Sequence, residues 1–231
     1  MTKDWLIDKF SESWYNRLHH YLETDEFKQL GNQIALERKT KAIYPASSDV
    51  FKAFKLCPFG EVKIVILGMD PYFTSDVADG LAFSCSYSEG LPRKKIQPSL
   101  VNIFESLERT VYKGLYLDKD PNLERWAKQG VLLLNTALTV EAGKAESHLA
   151  LWKNFTKEVL KSLSEYNTGV IYCLWGAKAQ QYEKYINPKF NYILKAKHPS
   201  SASYTGGTWE CNHFVEINKI LKQNNNTEII W

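Results

Sequence analysis

Apolar residues recur at helical spacing through the first forty positions. Trp5, Leu6, Phe10, Trp14, Leu18, Tyr21 and Leu22 alternate with charged and polar neighbours, which predicts helical structure over residues 4–40. A loop with Pro45, Ser47 and Ser48 follows, and Asp49 is placed to cap a short helix running through Phe54. The pattern then changes. Val62–Leu67, Val131–Leu134, Val170–Leu174 and Tyr192–Leu194 are short apolar runs, β-branched or aromatic in part, and read as buried strands. Segments of helical period lie between or after them, at Ser99–Tyr112, Asn122–Lys128, Trp152–Glu165, Ala177–Ile186 and His213–Lys222. Strand–helix alternation predicts an α/β fold with a central four-stranded parallel sheet flanked by helices on both faces. The 231 residues suit a single domain spanning 1–231. No internal repeat is visible, and Gln223–Asn226 reads as a polar turn or tether.

The polar residues that follow each predicted strand carry the chemical signal. Gly68, Met69 and Asp70 follow the first and Asn135 the second. Gly176 follows the third after Trp175, and His198 comes shortly after the fourth. Ligands of open parallel sheets bind beyond the carboxyl ends of the strands. This ordering therefore gathers Asp70, Asn135 and His198 at one rim.

Composition narrows the picture. Apolar residues make up 44% and charged residues 24%, as in globular domains. A net charge of +3 gives no broad footprint for nucleic acid, so any such surface has to be local. Cys57, Cys85, Cys173 and Cys211 form no C-x-x-C pair, and no histidine stands at finger spacing, which argues against a zinc site. Charges at Lys3, Asp4, Asp8 and Lys9 argue against a signal peptide, and no run of eighteen apolar residues is present. The expectation is a reducing, cytoplasmic compartment, prokaryotic or viral.

Several segments together are similar to the family 1 uracil-DNA glycosylases. Gly68–Ser84, GMDPYFTSDVADGLAFS, resembles that family's water-activating loop without a gap. GVLLLNTALTVEAGKAESH, around Asn135, resembles the uracil-reading strand and its continuation. HPSSAS, from His198, resembles the DNA-intercalation loop, and Gln97-Pro98-Ser99-Leu100 the end of the proline-rich loop. Tyr44-Pro45, Asp49-Val50-Phe51 and Trp231 fit as well, so the resemblance runs from about residue 5 to 231.

The resemblance implies a monofunctional DNA-repair hydrolase that releases uracil from DNA and leaves an abasic site, with no cofactor or metal. Asp70 and His198 are then the catalytic pair. Asp70 orients water and stabilises the sugar cation, and His198 steadies the departing uracil. Met69, Tyr72, Phe83 and Asn135 form the substrate pocket. Tyr72 blocks a C5 methyl, Phe83 stacks on the base and Asn135 bonds the uracil edge. Gln97, Pro98, Ser99, Ser200, Ser201 and Ala202 are the DNA-binding positions. His148 supports the site or plays a structural part, and Lys195, Lys197 and His213 add positive charge nearby. The implied partners are single- or double-stranded DNA containing uracil and a proteinaceous uracil-DNA glycosylase inhibitor, acting on a monomer without membrane association.

The chain departs from the family at Met69, where Gln is usual, at Phe73, where His is usual, and at Ala202, where Leu fills the hole left by the flipped base. Alanine has little to insert, with Tyr204 an alternative from the same loop. The departures keep two other readings open: a related glycosylase with altered base or strand preference, and a weakly active DNA-binding scaffold.

Overall fold

The computed structural model describes residues 1–85, 96–115 and 118–231. Four parallel strands form its centre: β2 (Ile64–Gly68), β3 (Val131–Asn135), β5 (Ile171–Trp175) and β6 (Tyr192–Ala196), in the spatial order β3-β2-β5-β6. The first three are buried at every position. That explains why they read as unbroken apolar runs. β6 lies at an edge and is only partly covered. Exposed Lys195 explains why just its first three residues were legible as apolar.

Helices cover both faces. On one side α1 (Lys3–Leu22), α2 (Asp25–Glu37), α3 (Lys52–Leu56) and α6 (Leu149–Tyr166) enclose an aromatic cluster. In it Phe10 meets Phe27, Phe51, Phe54 and Phe155, with ring centroids 4.4–6.0 Å apart. On the other side α4 (Pro98–Thr110), α5 (Glu124–Ala127) and α9 (His213–Gln223) surround Trp126, Trp175, Trp209, Phe214 and Trp231. The chain's aromatic supply is thus chiefly core.

The helical structure expected over residues 4–40 is present as α1 and α2, and Thr24 caps α2 by accepting from the Phe27 amide. Two local expectations are revised. Asp49 does not cap α3; its carboxylate accepts from the Ser48 hydroxyl, and α3 starts after Phe51 without a side-chain cap. The predicted 177–186 helix is the single turn α7 (Ala177–Gln180) followed by a 3-10 turn, Glu183–Tyr185. A short antiparallel pair, β1 (Ile43–Tyr44) with β4 (Val140–Glu141), was not foreseen. It ties the N-terminal layer to the chain just beyond Asn135. Among the described residues no helix is long and apolar enough to cross a membrane.

Candidate active site

The carboxyl ends of the strands open onto a cavity of about 350 Å3. It is lined by Met69, Asp70, Tyr72, Phe83, Gln97, Pro98, Ser99, Asn135, His198 and Ser200 among others. A wider cleft of about 680 Å3 lies at the opposite end of the sheet, around Lys63, Gly130 and Gly169. Size alone would favour that end of the sheet. Only the smaller cavity brings a carboxylate, an amide, an imidazole and an aromatic ring together.

Parallel register sets the first contact. Gly68, the last residue of β2, pairs with Asn135, the last of β3. A Cβ at position 68 would lie 2.3 Å from Asn135 Oδ1, so only glycine lets the amide sit there. Asn135 is 6% exposed and lines the cavity. Beyond it the two chains stay zipped. The Thr136 amide donates to the Gly68 carbonyl (2.9 Å), and the Ala137 amide and Thr136 hydroxyl donate to the Met69 carbonyl (2.9 and 2.6 Å). Asp70 therefore leaves β2 from a fixed base. The Glu146 amide donates to its Oδ2 at 2.6 Å. Burial pushes the Asp70 carboxyl above the usual carboxylate range, while that amide pulls it back.

The chain then loops to Phe83 under internal tension. Phe83 has φ 65°, a left-handed conformation that costs a bulky residue about 1–3 kcal/mol. It is held there by the Tyr72 hydroxyl, which donates to the Phe83 carbonyl (3.0 Å), and by contact with Trp175 and His198 at 5.5 and 5.8 Å between centroids. Asp79 anchors the loop from inside. Only 2% exposed, it accepts from the Leu81 amide (3.1 Å) and the Ser84 hydroxyl (2.6 Å). Sequence reasoning missed Asp79, since an acid amid a polar loop carries no signal of burial.

His198 reaches the cavity because residue 176 is glycine. Gly176 has φ 90°, and a Cβ there would lie 2.9 Å from His198 Cβ. The Ser200 amide donates to His198 Nδ1 at 3.2 Å. That assigns Nδ1 as an acceptor and leaves the proton of the neutral ring on Nε2. Burial lowers the His198 pKa, which favours the neutral form. The segment that follows is clamped by α4. Asn102 donates to the Pro199 carbonyl (2.7 Å) and the Ser203 hydroxyl (2.8 Å), Ser106 to the Cys211 carbonyl (2.7 Å), and Arg109 to the Trp209 carbonyl (2.9 Å). Asn102, also missed, was detectable as a polar residue on the apolar face of a predicted helix.

The 198–205 segment corrects one expectation. Ala202 is 4% exposed and packed in the core, so it is not the outward tip. The turn of α8 (Ser201–Thr205) rotates Ala202 inward and leaves Tyr204 87% exposed at the cavity's edge. Ser201 is half-buried with its amide on the His198 carbonyl (2.9 Å) and does not line the cavity, while Ser200 does. Phe73 lines it and is 43% exposed. His148 stays outside, buried between Thr139 (2.7 Å) and Glu37 (3.3 Å). His213 is buried beside the Trp175 indole (3.0 Å), with its pKa lowered by burial. Lys195 is paired with Glu183 (3.0 Å). Neither is a free positive charge at the site.

Comparison with known proteins decides the family. The model of the uracil DNA glycosylase superfamily matches residues 54–222. The chain belongs to that superfamily. It is 42% identical to the uracil-DNA glycosylase of Fusobacterium nucleatum over 226 residues, covering 97% of each chain. It is 44% identical to that of Yersinia pestis, covering 96% of this chain and 95% of the other. The crystal structure of mimivirus uracil-DNA glycosylase superposes with a TM-score of 0.85 at 27% identity, over 96% of this chain and 87% of that one. A mimivirus variant, Y322L, crystallised in complex with UGI, gives the same TM-score at 26% identity. The four-stranded parallel sheet expected from the strand pattern is observed, and the glycosylase fold implied by the family resemblance is that of the solved neighbours.

Proposed function

We propose that the chain hydrolyses the N-glycosidic bond of deoxyuridine in DNA, releasing uracil and leaving an abasic site. The observation that carries this reading is the convergence of Asp70, Asn135 and His198 on one cavity of about 350 Å3. As the bond to C1′ breaks, positive charge develops on the sugar and negative charge on the uracil ring. The Asp70 carboxylate stabilises the first, and the Nε2–H of neutral His198 donates to the uracil O2 as the second grows. Water held by Asp70 adds to C1′ and gives up a proton through the carboxylate, and the uracil anion takes a proton from solvent. Asn135 offers a donor and an acceptor to the imide edge. Phe83 stacks on a base drawn out of the helix, and Tyr72 stands where a C5 methyl would go. Stacking of this kind is worth about 1–3 kcal/mol and offsets part of the cost of flipping.

Gln97, Pro98, Ser99 and Ser200 ring the mouth and are assigned to the phosphates of the strand. Tyr204 takes the place of Ala202 as the side chain that enters the stack. Its exposure favours a glycosylase active on duplex over one confined to single strands. A proteinaceous uracil-DNA glycosylase inhibitor is proposed as a partner on the strength of the mimivirus complex with UGI. A monomer in a reducing, cytoplasmic compartment is also proposed; the four cysteines are buried. The test is single-turnover release of base from matched oligonucleotides carrying one uracil, thymine or cytosine. Release of uracil alone is expected. Failure to release uracil, or equal release of thymine, overturns the reading.

A further inference from the structure

Glu146 stands in an unusual position. Its backbone has φ 66°, a conformation that non-glycine residues rarely adopt, and two attachments hold it. Its amide donates to Asp70 Oδ2 at 2.6 Å, and its carboxylate meets Lys178 Nζ at 2.6 Å. Lys178 belongs to α7, which leaves β5, whereas Glu146 lies on the turn after β4. The pair thus bridges two elements directly beside the candidate catalytic carboxylate. The turn is also fixed elsewhere. The Gly143 amide donates to the Phe73 carbonyl (3.0 Å), and the Glu141 amide to Ser147 Oγ (2.8 Å).

Both partners are about half exposed, 51% for Lys178 and 45% for Glu146. An ion pair of that kind adds little to overall stability. Its position relative to Asp70 matters more. The Glu146 charge disfavours ionised Asp70, and the Lys178 charge favours it. Other charged groups among the described residues of this turn have partners of their own. Lys144 is paired with Glu141, Lys41 with Glu37 and Glu141, and His148 with Glu37. Across the cavity stand neutral His198 and Tyr72.

We propose that the Glu146–Lys178 pair is a positioning device for Asp70: Lys178 neutralises an acid that the turn must place beside the catalytic carboxylate, and fixes the turn so that the Glu146 amide stays on it. This rests on the reading of Asp70 as the group that serves the sugar. Lys178→Ala leaves a bare carboxylate next to Asp70, so Asp70 protonates at higher pH. Glu146→Gln removes that charge, keeps the amide and leaves Lys178 alone, so the shift has the opposite sign. In the double variant the two changes offset one another.

The experiment is single-turnover uracil release between pH 5 and 8, together with carbon-detected NMR titration of the Asp70 carboxyl in the free enzyme. Lys178→Ala is expected to lose roughly threefold more rate between pH 7.5 and 5 than wild type, from the loss of one nearby opposite charge. Glu146→Gln is expected to lose less than wild type. The double variant returns towards the wild-type profile, and Lys178→Arg retains it. A loss in Lys178→Ala that is uniform in pH, or a double variant whose effects merely add in the same direction, overturns the proposal and makes the pair structural. If wild type releases no uracil, the functional reading fails, and the Asp70 titration still decides the coupling. An unmoved Asp70 titration in both single variants refutes it.

Discussion

Two segments meet at the cavity, and they are built in opposite ways. The chain from Gly68 to Ser84 is fixed from within. Register seats Gly68 against Asn135, buried Asp79 bonds the loop to itself, and Phe83 is held in a left-handed conformation between Trp175 and His198. The chain from His198 to Thr205 is held at its base by Asn102 but presents Tyr204 almost wholly to solvent. The first segment is shaped before substrate arrives, as charge stabilisation requires. The second ends in a side chain whose contacts await a partner. On the proposed reading, preorganisation is concentrated where charge would develop, and freedom is left where DNA would be accommodated.

The largest expected effects break the fixed half. Asp70→Asn and His198→Ala should each slow single-turnover release at least about a hundredfold, on the order of 3 kcal/mol, while DNA binding changes far less. A variant that keeps the wild-type rate would remove its residue from the mechanism. The pH profile sharpens the same point. Burial raises the Asp70 pKa, so release should decline on acidification at a higher pH than an ordinary carboxylate would dictate. His198, with its pKa lowered, remains the neutral donor below the pH at which a free imidazole would charge. A profile flat down to pH 4 contradicts this assignment.

The exposed half should respond more gently and selectively. Tyr204→Ala is expected to cost about tenfold on U·A duplex, corresponding to about 1.4 kcal/mol of lost stacking, with little change on single strands. Equal losses on both substrates would show that Tyr204 grips the strand and does not enter the stack. Ala202→Leu should give the smallest effect on rate. A larger side chain at a 4% exposed site overpacks the core, at about 1–3 kcal/mol in stability. A lower melting temperature without gain on duplex is the expected result; faster duplex excision would mean that the loop turns position 202 outward.

The same contrast explains what the sequence revealed. The sheet was legible because β2, β3 and β5 are buried on both faces and so apolar without interruption. Asp70, Asn135 and His198 were legible because strand ends fix where the next residues go. The tip of the 198–205 segment was not, since a single helical turn decides which of Ala202 and Tyr204 faces water. Matching position by position to a family motif carries residue types across but not that rotation. Asp79 and Asn102 were hidden for a related reason: both act through carbonyls, amides and hydroxyls brought near only by folding.

The grip of α4 has a mechanical consequence. Gln97, Pro98 and Ser99 form one lip of the cavity at the start of this helix. Asn102, Ser106 and Arg109, farther along it, grasp the opposite lip at Pro199, Ser203, Trp209 and Cys211. Both lips therefore ride on one lever. A displacement of α4 would carry both lips with it, so on the proposed reading they would move together against a bound strand.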